Sequence, residues 1–430
     1  MRVLISAFAF SPYRGSEAAV GWNIATELAK LHDVTVITGA VRAESNDWSQ
    51  YVREKGPISG LAVEYVEPTR FIQTLERLHH VPGCWGLYYW AYNLWQRKAF
   101  QRAKELNAQK RFDLVHQLNM IGYREPGYMW KLGIPFVWGP VGGAPNESIS
   151  YHSLFSCAGC IKVFLRTICN EVQKSICWRA RIAAKHARKI WVVTDADYQM
   201  VRDIWGVRCE KMVETGTVLR PEGFVRDWDG NEPFRIVWSG IHTSRKALPI
   251  LIFALNKIAS ENLGIDRDGS VMQRRMDERI KVDVLGEGPE TRDWKRLAER
   301  LGVASCLKWH GRLPHDQALS VMNHGHVFAF PSLKEGTPHV VLEALSLGLP
   351  VICHDACGMG TVVDGSCGVK IPLKTPDKSI EGFSNALSEM LSGRISIASL
   401  SKGALDRAQQ LTWAEKASKI AETYKEIVHG

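Results

Sequence analysis

Two glutamates, Glu335 and Glu343, stand eight residues apart in a stretch that passes from strand to loop to helix signals. The preceding apolar run, 327–330, is closed by a proline, as a buried parallel strand would be. A glycine and a proline then interrupt the chain, and a helical pattern runs over 340–348. The sequence therefore predicts Glu335 in a loop at the carboxyl edge of a sheet and Glu343 in the first turns of the next helix.

Carboxylates in these two places could accept hydrogen bonds from paired hydroxyl groups, one pair on a sugar and one on a ribose. Backbone amides at a helix start have no acceptor within the helix and lie at the positive end of its dipole, so they bind anions. The alternative is that Glu343 only stabilises the helix start and Glu335 is a surface charge. The turn predicted to hold a diphosphate consists of Gly336, Thr337, Pro338, His339 and Val340.

Three further loops follow predicted strands of the same half. Gly240, Arg245 and Lys246 lie between the strand 234–240 and a helix, where the two cations could neutralise a diphosphate. Gly286 and Gly311 end the next two strands, where the backbone could closely approach a base or a ribose. The alternatives are ordinary surface cations and ordinary turn glycines.

Candidate residues in the first half are fewer. Gly15 and Ser16 precede a helix predicted over 17–31 and could meet a phosphate across a cleft. His116 ends the predicted strand 113–116, where it could hydrogen-bond a sugar, and a structural histidine is an equal alternative.

Alternating strands and helices predict two doubly wound α/β domains with parallel sheets. We predict a first domain over 1–220, a linker over 221–233 rich in glycine, proline and charge, a second domain over 234–411 and a C-terminal helix within 412–430. Ligands of open parallel sheets bind at the carboxyl ends of the strands, so the cleft between two facing edges is the expected site.

Composition and missing motifs exclude several classes. The 430 residues carry a net charge of +9 and include no apolar run of the roughly 18 residues that a transmembrane helix needs. Neither a glycine-rich dinucleotide fingerprint after the first strand nor a P-loop is present, which disfavours dehydrogenases and P-loop ATPases. Scattered cysteines predict reduced thiols, a cytoplasmic location and no metal site. A structural zinc at the C-x-x-C pair Cys157 and Cys160 is the weaker alternative, because no second pair follows at zinc-finger spacing.

Taken together, the motifs over 235–373 resemble those of the family 4 retaining glycosyltransferases, whose GT-B fold has two Rossmann-like domains facing across a cleft. The resemblance spans nearly the whole chain but is looser in the first half. Three departures stand out: Ile241 where the family often has arginine, Leu118 where it often has histidine, and Thr215-Gly216 in place of its Asn-Gly.

The resemblance implies a role for each matching residue. Glu335 is expected to contact the hydroxyls of the donor sugar, Glu343 the ribose and Lys246 the diphosphate, while Gly15 admits the donor phosphates. Glu335, Lys246 and His116 are the expected catalytic residues. No cofactor or metal is implied, because cations and helix amides stabilise the leaving group. The implied reaction moves a sugar from a UDP- or GDP-sugar to a growing polysaccharide or lipid-linked oligosaccharide, with retention at the anomeric carbon.

Aromatic and basic clusters in the first half predict peripheral contact with an anionic membrane, at the inner face of the cytoplasmic membrane. An aromatic group over 85–95 runs into four cations over 97–104, and 161–189 holds eight Lys or Arg against one acid, Glu171. The alternative is that the aromatic residues belong to the core.

Other functions remain open from the sequence. A nucleotide-sugar epimerase or a phosphorylase would share the fold, although no motif marks a pyridoxal-phosphate lysine. The departures at Ile241 and Leu118 are compatible with a catalytically silent nucleotide-sugar-binding protein. A nucleic-acid partner is not predicted, because no known binding module is visible.

Overall fold

The computed structural model describes residues 1–15, 17–39, 44–79, 81, 84, 86–148, 150–151, 157–261 and 276–430. The chain divides into two compact units. Unit 1 comprises Met1–Pro145, Asn170–Gly216 and Trp413–Gly430, and unit 2 comprises Asn146–Cys169 and Thr217–Thr412.

Each unit is built on one parallel sheet. The order in unit 1 is β3-β2-β1-β4-β5-β6-β7 and in unit 2 is β10-β9-β8-β11-β12-β13. These orders are those of doubly wound sheets, in which successive strands are added on either side of the first. The strands are β1 Arg2–Ala7, β2 Asp33–Thr38, β3 Leu61–Tyr65, β4 Leu114–Asn119, β5 Phe136–Val141, β6 Lys189–Val192, β7 Glu210–Lys211, β8 Phe234–Ser239, β9 Ile280–Leu285, β10 Leu307–Gly311, β11 Val327–Phe330, β12 Val351–His354 and β13 Gly368–Ile371.

Helices cover the sheets, and apolar residues of helices and strands form the cores of the units. Among the described residues, no helix combines the length and apolar character needed to cross a bilayer. The helices are α1 Glu17–Ala29, α2 Glu44–Lys55, α3 Arg70–Leu78, α4 Gly86–Lys110, α5 Cys157–Ile176, α6 Trp178–His186, α7 Asp195–Gln199, α8 Leu248–Glu261, α9 Met276–Arg279, α10 Thr291–Arg300, α11 His315–Asn323, α12 His339–Ser346, α13 Cys357–Val362, α14 Pro376–Leu391, α15 Ile397–Gln410 and α16 Trp413–His429.

The predicted alternation of strands and helices is confirmed, and β10, β11 and β13 have the predicted bounds. Two short strands at the edges of the first sheet, β3 and β7, were not predicted. Edge strands carry fewer buried apolar residues, and both residues of β7 are charged and exposed, so their sequence signal is weak.

The segment predicted as a linker, 221–233, is anchored in unit 2. Arg226 is buried, and its guanidinium donates to the carbonyl oxygens of Gly325 at 2.8 Å, Asn323 at 3.0 Å and Leu347. The segment therefore shares the hydrogen bonding of the second unit and does not behave as a free connection. The residues 146–169, predicted in the first domain, also group with unit 2.

The C-terminal helix, α16, belongs to unit 1, where it packs beside α1. Lys416 is buried and donates to the carbonyl oxygens of Val213 and, at 2.6 Å, Thr215. Burial lowers the pKa of Lys416 to about 7. The helix thus holds the backbone of residues 213–215, just before the chain passes from unit 1 to unit 2.

His116 corrects an expectation about the first unit. The strand β4 continues to Asn119, so His116 lies in mid-strand with no exposed surface. Its Nδ1 is 2.6 Å from the Tyr424 hydroxyl of α16, and its Nε2 is 2.7 Å from the Gly139 carbonyl oxygen. Both ring nitrogens have partners in the core, so this histidine joins β4, β5 and α16 and presents no atom to a sugar.

Protonation of His116 should weaken the fold. Burial lowers its pKa to about 4, whereas the unfolded side chain titrates near its ordinary value of about 6.5. Between these values the unfolded chain binds the extra proton, so the free energy of unfolding should fall as pH falls from about 6.5 to about 4. The variant His116→Gln should be less stable at neutral pH but show a shallower decline, measured by urea unfolding across this range.

An exposed histidine of α16, His429, provides the control. His429→Gln should leave the pH dependence unchanged. Parallel curves for the wild type and His116→Gln would contradict the structural role of the neutral His116 ring.

Candidate active site

An ion pair joins two loops at the carboxyl edge of the second sheet. Lys246 follows β8 and Glu335 follows β11, and these strands are neighbours in the sheet. The Lys246 Nζ lies 2.7 Å from Glu335 Oε1, and each side chain is only 11% exposed. The pairing brings together two residues that the sequence assigned to different contacts with the same ligand.

The local backbone turns Lys246 inward. A 3-10 turn over Ser244–Lys246 is followed by Ala247 in the left-handed region, with φ of 49°, and then by α8. The Lys246 ammonium also lies 4.9 Å from the centre of the Phe330 ring. Burial lowers the pKa of Lys246, and Glu335 opposes this shift. An ammonium group has three donors, so Lys246 can bind a further anion while it holds Glu335.

A series of hydrogen bonds supports the loop that carries Glu335. The Ser332 hydroxyl donates to Glu335 Oε1 at 2.7 Å, and the Ser332 carbonyl lies 3.0 Å from His354 Nδ1. His354 Nε2 is 2.7 Å from the Ser379 hydroxyl, which also meets the Tyr151 hydroxyl at 2.5 Å. Burial lowers the pKa of His354 to about 4. The neutral ring therefore donates to Ser332 and accepts from Ser379, which holds the Glu335 loop in place.

Glu343 lies in a separate pocket of about 760 Å³. Its Oε1 is 2.8 Å from Nε2 of His315, the first residue of α11. The first two residues of α12, His339 and Val340, also line the pocket, so the positive end of the helix dipole faces it. The exposed Arg312 contributes a cation to the same lining. The arrangement suits a ligand that carries both hydroxyl groups and negative charge.

Three glycines line up at the carboxyl ends of β8, β9 and β10. The Gly240 amide donates to the Leu285 carbonyl at 3.1 Å, and the Gly286 amide donates to the Gly311 carbonyl at 2.8 Å. Gly286 has φ of 106°, and a Cβ there would lie 2.0 Å from the Gly240 carbonyl oxygen. Only glycine permits this approach of neighbouring loops.

The remaining predicted residues fall in different surroundings. Arg245 is exposed, and its carbonyl accepts from the Leu333 amide at 2.8 Å. A Cβ on Gly358 would lie 1.7 Å from the Gly336 carbonyl oxygen, so α13 starts against the predicted diphosphate turn. In the same turn, Thr337 is buried and Pro338 directly precedes α12.

In unit 1, a Cβ on Gly15 would meet no atom within 4 Å, and Ser16 lies outside the described residues. In unit 2, the structure pairs Lys246 with Glu335, and Glu343 lines a pocket with His339 and Val340. Gly240, Gly286 and Gly311 lie on neighbouring loops, while His116 stays in the core of unit 1. The roles of all these residues in binding remain predictions.

Arg312 and His315 were missed by the sequence reasoning. Both belong to the run His-Gly-Arg-Leu-Pro-His over 310–315, of which only the glycine was considered. A cation and an imidazole directly after a glycine at a strand end were the available signal. The support of Glu335 by Ser332 and His354 had no local signal, because its members lie on separate elements.

Residues 235–405 match the family model described as "Glycosyl transferases group 1". This stretch contains the Lys246–Glu335 pair and the whole Glu343 pocket. The second unit therefore carries the sequence pattern of that family.

Curated relatives match part of the chain. The D-inositol 3-phosphate glycosyltransferase of Corynebacterium aurimucosum is 26% identical over 181 residues, which are 40% of this chain and 42% of the relative. The chain thus spans less than half the length of the curated relatives it matches.

Solved structures align over nearly the whole chain. The lipopolysaccharide outer core galactosyltransferase WaaB superposes with a TM-score of 0.64 at 14% identity, over 99% of this chain and 100% of that one. HepE of Anabaena, solved in complex with UDP, gives 0.57 at 13% identity over 99% of each chain. At such identities the likeness establishes the fold, and both units have the α/β architecture of GT-B glycosyltransferases.

The close approach of the Gly240 and Gly286 loops predicts that a larger residue at Gly286 lowers the stability of the protein. Gly286→Ala would place a methyl group against the Gly240 carbonyl and force a side chain into a strained backbone conformation. We expect a loss of at least about 1–3 kcal/mol in the free energy of unfolding, measured by urea denaturation. Gly365→Ala, where a Cβ would meet nothing within 4 Å, is the matched control and should change stability little. Equal effects of the two substitutions would contradict the assigned packing.

Proposed function

We propose that this protein is a retaining glycosyltransferase that moves a sugar from a nucleoside-diphosphate sugar to a growing polysaccharide or a lipid-linked oligosaccharide. The observation that carries the proposal is the buried Lys246–Glu335 pair, in the same unit as the pocket that Glu343 and the start of α12 line. The family match over 235–405 supports it, because all three residues fall inside the matched stretch.

The nucleoside is assigned to the Glu343 pocket. The Glu343 carboxylate accepts the ribose hydroxyls, in exchange for or beside its contact with His315. The diphosphate lies at the start of α12, where the helix dipole and the Arg312 guanidinium oppose its charge. UDP- and GDP-sugars are the proposed donors, and the UDP complex of the similarly folded HepE favours the uridine class.

The sugar is assigned to Glu335. The two described contacts of its carboxylate both use Oε1, which leaves Oε2 to accept from sugar hydroxyls. As the bond from the anomeric carbon to the phosphate oxygen breaks, positive charge develops on the ring and negative charge on the leaving diphosphate. Lys246 and the start of α12 stabilise the diphosphate, because both are positive, fixed and partly shielded from water.

The acceptor is proposed to approach the same face of the sugar that the diphosphate leaves. A donor phosphate oxygen takes the proton of the acceptor hydroxyl as the new glycosidic bond forms, which retains the anomeric configuration. The name of the galactosyltransferase WaaB, whose fold this chain shares, refers to a lipopolysaccharide. It supports a glycan or lipid-linked acceptor, and we place the proposed reaction in the cytoplasm at the membrane surface.

Removal of the Glu335 charge should cripple transfer. Glu335→Gln keeps the size of the side chain but weakens its hold on Lys246 and on the sugar hydroxyls. We expect kcat to fall on the order of 100-fold, with the cooperative unfolding transition retained. Release of nucleoside diphosphate from a panel of nucleotide sugars, with a glycolipid extract as acceptor, measures the rate.

Glu299→Gln on α10 is the matched control, because this glutamate is exposed. It should retain full turnover. Turnover near that of the wild type by Glu335→Gln would contradict the assignment. Tight donor binding without any turnover by the wild type would instead favour a silent binding protein.

Nucleotide and sugar contacts can be separated by ligand-induced stabilisation. Free nucleotide at 100 times its dissociation constant should stabilise the wild type by about 2.7 kcal/mol. Glu343→Gln should reduce this stabilisation by about 1.4 kcal/mol if the affinity falls tenfold. UDP or GDP should stabilise Glu335→Gln as much as the wild type. The corresponding nucleotide sugars should stabilise this variant less than they stabilise the wild type. Thermal shift measurements give both quantities, and an equal response of both variants to free nucleotide would contradict the division of roles.

A further inference from the structure

Helix α5 turns an apolar stripe towards solvent. Six of its side chains recur at spacings of three and four residues, which places them on one face of the helix. Each of the six is between 46% and 63% exposed. They are Ile161, Phe164, Leu165, Ile168, Val172 and Ile176.

The opposite face of α5 is held by polar contacts. Asn170 is buried, donates to the Ala144 carbonyl at 3.0 Å and accepts from the Tyr123 hydroxyl at 3.0 Å. Lys174 is also buried and pairs with Glu171 at 2.5 Å. A surface helix normally buries its apolar face and exposes its polar one, so α5 shows the reverse arrangement. Packing in the protein core therefore does not account for the apolar stripe.

The segment that contains the stripe is rich in basic residues. The segment 161–189 has eight Lys or Arg against one acid, a net charge of +7. Arg166, Arg179 and Lys189 are paired with acids outside the segment. The Arg166 side chain is nevertheless 66% exposed, and Lys185 and Arg188, on and after α6, are also exposed. Trp178, which begins α6 two residues beyond the end of α5, is 64% exposed. Exposed apolar side chains, a terminal tryptophan and flanking cations are the features of a helix that lies in a membrane interface.

We infer that α5 docks the protein on an anionic lipid bilayer, with the six apolar side chains entering the boundary between headgroups and acyl chains. Charge decides the occupant: a second copy of α5 would bring two basic segments together, whereas acidic headgroups would neutralise them. This docking rests on the proposed function, because an enzyme bound to the membrane would meet a lipid-linked acceptor at the bilayer surface.

The aromatic helix α4 is the weaker docking surface. The sequence cluster that predicted membrane contact includes Tyr92 and Trp95, and both are buried in unit 1. Of its neighbours, Tyr89 and Trp90 are exposed, and Trp90 forms an edge-on pair with Phe71. Of the expected aromatic patch, Tyr92 and Trp95 thus belong to the core, and Trp85 lies outside the described residues. The exposed pair Tyr89 and Trp90 is smaller than the stripe on α5.

Vesicle flotation of the purified full chain tests the inference. We expect binding to phosphatidylcholine vesicles that contain about one third phosphatidylglycerol, and at least tenfold weaker binding without the anionic lipid or at high salt. Phe164→Ser with Ile168→Ser should lower partitioning at least about tenfold, because two buried apolar groups are lost. Lys185→Glu with Arg188→Glu should lower binding to anionic vesicles only.

Leu31→Ser is the matched control, since Leu31 is 54% exposed in unit 1 and should not affect flotation. Phe71→Ser with Trp90→Ser tests the competing surface on α4. Stabilisation by nucleotide is measured for every variant, so that loss of lipid binding and loss of the donor site are told apart.

Three results would overturn the inference: no flotation by the wild type with anionic vesicles at low salt, unchanged flotation of the Phe164/Ile168 variant, or loss of flotation only in the Phe71/Trp90 variant. Dimers that are abolished by the Phe164/Ile168 changes, without lipid binding, would identify a second copy as the partner. A failure of nucleotide stabilisation with intact flotation would count against the proposed enzyme and leave the docking surface in place.

Discussion

The pairing of Lys246 with Glu335 is the interaction on which the candidate site depends. Parallel strands place their following loops at the same edge of a sheet, so β8 and β11 bring together residues that are far apart in sequence. Partial burial strengthens the attraction between the two charges and makes either charge costly alone. The pair therefore holds a cation and a carboxylate together at this edge, as the proposed binding of a diphosphate and a sugar requires.

The surroundings of the pair explain how it is kept ready for a ligand. Tyr151, Ser379, His354 and Ser332 form a chain of hydrogen bonds that ends at the Glu335 loop. These groups are buried and neutral, so they fix geometry without competing for the charge of Lys246. Such support limits the reorganisation needed when charge develops in a reaction, which is the main source of electrostatic catalysis.

Much of the second unit could be predicted from its sequence, because its signals are local. Strong apolar runs mark β11, and a glycine and a proline mark the turn before α12, so the positions of Glu335 and Glu343 follow directly. Contacts between distant elements have no such signal. The partner of His116 lies 308 positions away on α16, and Arg226 bonds to carbonyls about a hundred residues further on, which is why one was expected at a site and the other in a linker.

Hydrogen exchange of the full chain with and without saturating nucleoside diphosphates tests the central claim most directly, because it locates the donor without a known acceptor. We expect a pool of UDP, GDP, ADP and dTDP to slow exchange in peptides covering 311–319 and 335–346, where the pocket and the start of α12 lie. Protection confined to peptides of unit 1, or no protection with any nucleotide, would contradict the assignment of the donor to the second unit.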